Sequence, residues 1–122
     1  MSKEEKIKDA LAQDGVADIT TIGRKTNKPR RIEIWYHSVD DHVYLSGLPG
    51  PRSWYANILA NPNFTFHLKE DVRADLAAKG TPILEKVERK RIISKILSRG
   101  RSSGDLEAWM SGSPLVEVTF PH

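Results

Sequence analysis

The sequence predicts a mainly β fold, an antiparallel barrel with helices packed over it. Three observations carry this expectation. Short β-rich segments recur along the chain, several with apolar residues at every second position. Turn residues rather than long helices separate most of them, so neighbours pair as hairpins. Few stretches carry helical periodicity, so the helices are expected to cover the barrel's openings rather than alternate with its strands.

The elements follow in order. Lys3 to Gln13 reads as a short amphipathic helix, with Ile7, Ala10 and Leu11 at i, i+3, i+4, and Asp14-Gly15 breaks it. Ala17 to Ile22 is a short strand. Gly23 to Pro29 is a turn punctuated by Gly23, Thr26, Asn27 and Pro29. Arg30 to Ser38 is a strand with Ile32, Ile34 and Tyr36 on one face and Arg31, Glu33, Trp35 and His37 on the other. Asp40-Asp41 turns the chain into a strand from His42 to Ser46, completing a meander. The Gly/Pro-rich run Gly47 to Pro51 leads into a helix from about Arg52 to Ala60, with Pro51 or Ser53 at its start. Pro62 ends that helix. Asn63 to Leu68 and Val72 to Ala78 are the next strands, joined at Glu70-Asp71. Glu85 to Arg99 is a basic amphipathic helix with Ile92, Ile93, Ile96 and Leu97 on its apolar stripe. Gly100 to Gly104 is a break. A short helical piece holds Leu106 and Trp109, and Leu115 to Phe120 is the last strand.

The chain has 122 residues, the size of one domain, and residues 1–122 are read as one. Apolar residues at 39% and charged residues at 29% suit a folded globular chain. No apolar run approaches the ~18 residues of a membrane span. The polar start, Met1 to Lys6, lacks a secretory pattern, which favours the cytoplasm. There is no cysteine, which excludes disulfides and thiolate chemistry. The net charge of +3 fits an anionic ligand better than a nucleic acid.

Three segments can carry function. Gly23 to Arg31 crowds five basic residues onto one hairpin, and Gly23 and Asn27 there tolerate positive φ. Such a turn offers N–H groups and cations to a phosphate or carboxylate. It serves equally as a solvated, basic hairpin tip. Ser46 to Trp54 runs from a strand through a loop into a helix N-terminus, where Arg52 adds a full charge to the helix dipole. The plainer reading is a tight connection with two prolines. The phosphate-loop lysine is missing, so a nucleotide-hydrolase motif is excluded. In Trp54-Tyr55-Ala56-Asn57-Ile58-Leu59, the aromatic residues at helical spacing read as core. Asn57 lies one turn after Ser53, and a buried Asn needs partners.

Acid/base candidates are few. His37, His42, His67 and His122 have no metal-ligand spacing, although His37 and His67 can face each other across a sheet. No hydrolase triad, carboxylate dyad or metal site is legible. An enzyme of this kind draws its chemistry from a cofactor.

Two stretches together point to a family. Ile19-Thr20-Thr21-Ile22-Gly23-Arg24-Lys25-Thr26-Asn27-Lys28-Pro29-Arg30, followed by Ile34-Trp35-Tyr36, resembles the deazaflavin-dependent nitroreductase and quinone reductase family. Trp54-Tyr55-Ala56-Asn57-Ile58-Leu59-Ala60-Asn61-Pro62 resembles its second signature. The resemblance covers residues 17–80 well and the rest loosely. It implies a split β-barrel like that of pyridoxamine-phosphate oxidases, with a groove for coenzyme F(420), a deazaflavin with a phosphate and an oligoglutamate tail. It implies that Arg24, Lys25 and Arg30 meet the anionic part of the cofactor; Thr26, on the same hairpin, is a further cofactor-binding candidate. Ser46 and Gly47 would border the phosphate and ring, and Trp54 and Asn57 would close the site; Arg52 is a cofactor-binding candidate from its place at the helix N-terminus. The chain departs from the family pattern at Asn27 (often Gly), at Glu33 (often Pro) and in the loop Ser46 to Gly50, where nitroreductases carry a lysine and two glycines. It also lacks their tyrosine-rich segment near the C-terminus.

The implied activity is a reductase that moves a hydride from reduced deazaflavin to a small or quinone-like acceptor. The nearest alternative uses FMN on the same barrel. Others are a non-catalytic flavin or apolar-ligand binder and, ranked below it, a nucleic-acid-binding barrel that uses the basic hairpin and the basic helix. Related barrels often dimerise, so a homodimer is a further expectation.

Overall fold

A computed structural model describes residues 2–99 and 104–121. The break at Gly100 to Gly104 falls largely outside them, as does His122. Six strands form a closed barrel: β1 (Gly15–Ile22), β2 (Pro29–Val39), β3 (His42–Ser46), β4 (Asn63–Leu68), β5 (Ala74–Pro82) and β6 (Leu115–Thr119). Their order around the barrel is β1-β2-β3-β6-β5-β4, and every pair is antiparallel. The helices are α1 (Lys3–Leu11), α2 (Ser53–Ala60), α3 (Lys86–Ser98) and α4 (Leu106–Gly112). Among the described residues, no helix is long and apolar enough to cross a membrane.

Alternation fills the barrel. On β1 every second residue is buried, so Gly15, Ala17, Ile19 and Thr21 form its inward row. Ile34 and Tyr36 of β2 join Ala17 and Ile19 in a core with Phe66 of β4 and Val116 and Val118 of β6. The outer face of the β2–β3–β6 wall carries a second core, in which Val39, Tyr44 and Leu115 meet Ile92, Ile93 and Ile96 of α3 and Trp109 of α4. The pair α3 and α4 thus covers the barrel's side rather than an opening.

The stripe of α3 is as expected, but its basic residues are not a free cationic face. Arg91 pairs with Asp40 and Glu88, Lys95 with Asp40, and Arg99 with Asp14. Arg89 is buried. Its guanidinium donates to the carbonyls of Ile83, Trp109, Met110 and Ser113 at 2.9–3.2 Å. It thereby caps the negative C-terminal end of α4.

One strand differs from the sequence expectation. The fifth strand runs Ala74–Pro82, not Val72 to Ala78. Gly80 and Pro82 discourage strand assignment on propensity, yet both lie in register with β6. Packing explains the glycine. A Cβ on Gly80 would stand 2.7 Å from Cγ2 of Ile58 and 2.9 Å from Cγ1 of Val116. Gly80 is where α2 presses onto the barrel.

The barrel wall is incomplete on one side. β1 pairs with β2 from Pro29 to Tyr36, whereas β3 pairs with β2 only from Tyr36 to Val39. Residues 29–35 therefore present an edge that β3 leaves uncovered.

Candidate functional site

Two recesses lie along that uncovered edge. The smaller, about 100 Å³, is lined by Gly23, Arg24, Lys25, Thr26, Arg30, Ser53 and Asn57. The larger, about 600 Å³, is lined by Ile32, Ile34 and Trp35 of β2, by Ser46, Gly47, Leu48 and Arg52 of the β3–α2 connection, and by Trp54 and Trp109 among others. They adjoin along two elements. β2 gives Arg30 to the first and Ile32 and Ile34 to the second. α2 gives Ser53 to the first and Trp54 to the second.

The hairpin of the smaller recess is shaped by its own backbone. Gly23 N–H donates to the Lys28 carbonyl at 2.8 Å, and Asn27 N–H donates to the Gly23 carbonyl at 2.8 Å. Asn27 adopts φ 58°, the left-handed region, as its residue type allows. The Thr26 hydroxyl accepts from Lys28 N–H at 3.3 Å. Arg31 points to the other face and pairs with Asp18. Among the described residues no carboxylate pairs with Arg24, Lys25 or Arg30. Three cations around so small a recess make it a strongly positive concavity, the electrostatics an oxyanion seeks.

Asn57 ties this hairpin to α2. Its side chain is buried, with the residue 4% exposed. Oδ1 accepts from Arg24 N–H and from Arg24 Nη1, both at 3.1 Å. Nδ2 donates to Thr21 Oγ1 at 3.2 Å. The amide is the joint between helix and hairpin, and it holds the Arg24 guanidinium beside the recess.

The larger recess is mostly apolar. Trp54 is buried and stands edge-on to Tyr55, with ring centroids 6.0 Å apart. Trp35 and Leu48 are more than half exposed. The Ser46 hydroxyl does not face outward as a ready donor, because it donates to the Pro114 carbonyl at 2.7 Å. Arg52 also differs from the expectation of a cation held at the N-terminus of α2. Its guanidinium folds back onto the carbonyls of Pro51 and Leu48 at 3.0 and 2.9 Å, and it makes no side-chain cap to α2. It braces the connection between β3 and α2. Gly50, at φ 129°, donates its N–H to the Gly112 carbonyl at 3.0 Å and so ties the same connection to α4.

The structure therefore gathers Arg24, Lys25, Thr26, Arg30 and Asn57 around one recess, and Ser46, Gly47, Arg52 and Trp54 around its neighbour. Sequence reasoning missed Thr21, Trp35, Leu48 and Trp109 as site-forming positions. Thr21 carried a legible signal, being the one hydroxyl in an otherwise apolar inward row. His37 and His67 are both buried, and each is placed by other partners. His37 lies 3.9 Å from Asp14, while His67 contacts Thr20 and Asp75, each at 2.7 Å.

Solved structures share this architecture. A Listeria innocua protein described as a candidate pyridoxamine 5'-phosphate oxidase superposes with a TM-score of 0.73 at 13% identity, covering 99% of this chain and 95% of that one. An FAD-binding protein from Mesorhizobium loti gives 0.71 at 16% identity, covering 100% and 91%. A structure described as an F420 reductase gives 0.65 at 16% identity, covering 94% and 93%. At these identities the likeness establishes the fold, a split β-barrel of the pyridoxamine 5'-phosphate oxidase type. The sequence itself goes further, because residues 2–104 match the family described as F420H(2)-dependent quinone reductase. The chain belongs to that family of F(420)-dependent oxidoreductases.

Proposed function

We propose that this protein binds coenzyme F(420) across the two recesses and reduces a small, planar, quinone-like acceptor. The observation that carries the reading is the unpaired cationic recess beside a larger apolar one. A recess of about 100 Å³ lined by Arg24, Lys25 and Arg30 suits a phosphate. The neighbouring space of about 600 Å³, walled by Ile32, Ile34 and Trp54, suits a flat ring system.

In this reading each residue has a physical task. Arg24, Lys25 and Arg30 neutralise the phosphate, and cationic charge beyond one phosphate's need serves an anionic tail. Backbone groups of residues 30–34, on the edge of β2 that β3 leaves uncovered, are available to polar atoms of the ring. Trp54 and Trp109 exclude water from the recess, and Arg52 keeps the β3–α2 connection in place. Reduced deazaflavin, when bound, supplies a hydride. Trp35 and Leu48, exposed at the rim, give an apolar surface for the acceptor to lie against. No protein acid is assigned, and solvent provides the proton.

FMN is the second reading, because the small recess holds one phosphate's volume and a structural neighbour is described as FAD-binding. The activity test is anaerobic. Reduced F(420) is mixed with the protein and a short-chain naphthoquinone, and recovery of deazaflavin absorbance is followed. Quinone-dependent oxidation is expected. If the cofactor binds but no quinone or nitroaromatic oxidises it, the non-catalytic binding alternative takes its place.

A further inference from the structure

Thr21 lines neither recess, yet its hydroxyl needs an explanation. It is 2% exposed and continues the inward row of Ala17 and Ile19, where valine would fit equally well by shape. A buried hydroxyl in such a row is costly without a partner. Its partner is Nδ2 of Asn57, at 3.2 Å. In the strand register Thr21 stands opposite Arg30, so the hydroxyl lies at the level where the barrel's inward rows change from apolar to cationic.

We propose that Thr21 is a positioning residue for the cationic recess: by accepting from the Asn57 amide it holds that amide's oxygen on Arg24, and so aims the Arg24 guanidinium at a bound phosphate. The inference rests on the reading of the recess as a phosphate site.

Donor and acceptor counts fix the orientation of the Asn57 amide. Arg24 presents two donors to Asn57, its backbone N–H and Nη1, and both are met by Oδ1 at 3.1 Å. That leaves Nδ2 turned toward Thr21 in a place closed to water. With the hydroxyl gone, Nδ2 is buried without an acceptor, and the bond that fixes the amide's orientation is lost. An amide shifted in search of another acceptor or of water takes Oδ1 off the Arg24 donors, and the guanidinium loses its anchor. Thr21 touches no ligand in this arrangement, and its influence passes through Asn57 alone.

The test compares Thr21→Val and Thr21→Ser, with Arg24→Ala as control. Each is titrated with F(420) and with its phosphate-free deazaflavin alcohol, alongside thermal melts. Thr21→Val keeps shape and β-branching and removes only the acceptor. It is expected to weaken F(420) about 10-fold while leaving affinity for the alcohol unchanged, and Thr21→Ser is expected to restore F(420) binding. Thr21→Ala, which also lacks the acceptor, stands in if the valine variant does not fold. Equal weakening of both ligands means that Thr21 serves the fold only and overturns the inference. So does unchanged binding of both. If Arg24→Ala also leaves the ratio of the two affinities unchanged, the phosphate reading of the recess has failed, and the inference falls with it. If Arg24→Ala changes that ratio and Thr21→Val does not, the inference alone has failed.

Discussion

Gly80→Ala tests how the barrel positions α2, and its size follows from the geometry. The new Cβ would meet Ile58 Cγ2 at 2.7 Å, Val116 Cγ1 at 2.9 Å and Phe64 Cε1 at 3.4 Å. Ordinary carbon contacts lie at ~3.5–4.0 Å, so α2 or β6 has to move by roughly 1 Å. Overpacking of this kind costs ~1–3 kcal/mol. The lost flexibility of the unfolded chain returns ~0.4–1 kcal/mol. The net loss is about 1–2 kcal/mol, a fall in Tm of roughly 3–10 °C. Because α2 also carries Trp54 and Asn57, cofactor affinity is expected to fall with it. Ile58→Ala removes the atom in closest conflict. In a double-mutant cycle it should rescue part of the Gly80→Ala loss, with a coupling of at least ~1 kcal/mol. Thermal melts of the four proteins measure this directly. A Gly80→Ala variant that melts like the wild type, or losses that simply add, would refute the claim that Gly80 sets the seat of α2.

Asn57→Ala removes three hydrogen bonds, one of them to a charged group. It should cost about 2–4 kcal/mol of stability and also weaken F(420), as read by melting and fluorescence titration on the same samples. Arg24→Ala, Lys25→Ala and Arg30→Ala should each weaken F(420) by ~1–3 kcal/mol; Tm should change little for Lys25→Ala and Arg30→Ala, and fall modestly for Arg24→Ala, which loses its Nη1 hydrogen bond to the buried Asn57 amide; unchanged affinity in all three would make the hairpin a solvated surface tip. Asp14 gives a pH prediction. Burial pushes its carboxyl upward, but the Ser38 backbone N–H, Arg99 and His37 outweigh burial and hold the pKa below its ordinary 3.8. A depressed carboxyl stabilises the fold above its unfolded value and loses that contribution as pH falls through the folded one. Asp14→Asn should therefore lower Tm at neutral pH, and the gap to wild type should close only below about pH 3.8.

Much of the fold was legible because period-two alternation and turn chemistry agree along most strands. Ile32, Ile34 and Tyr36 share a face in the sequence pattern and in the barrel. Asn27 takes the positive φ that its residue type permits. The fifth strand was misplaced because Gly80 and Pro82 are residue types that strands disfavour, and only the approach of Ile58 explains why a glycine belongs there. The orientation of Arg52 was not legible either. A cation before a helix suggests an anion site, but the carbonyls of Leu48 and Pro51 are its nearest partners, and their direction depends on how the loop folds. Arg89 looked like one of many solvated charges on a basic helix. Its burial follows from the docking of α4, which no local pattern announces. The cationic recess lies between these cases. Its hairpin residues stood together in the sequence, while their junction with α2 through Asn57 is a tertiary contact between residues 33 apart.

The most direct test of the account is cofactor choice, measured as dissociation constants for F(420) and FMN at low and moderate salt. The hairpin cations exceed what one phosphate requires, so F(420), with its additional carboxylates, is expected to bind more tightly. Its advantage should shrink as salt screens the tail. A preference for FMN of tenfold or more, or an F(420) affinity that salt does not change, would contradict the account.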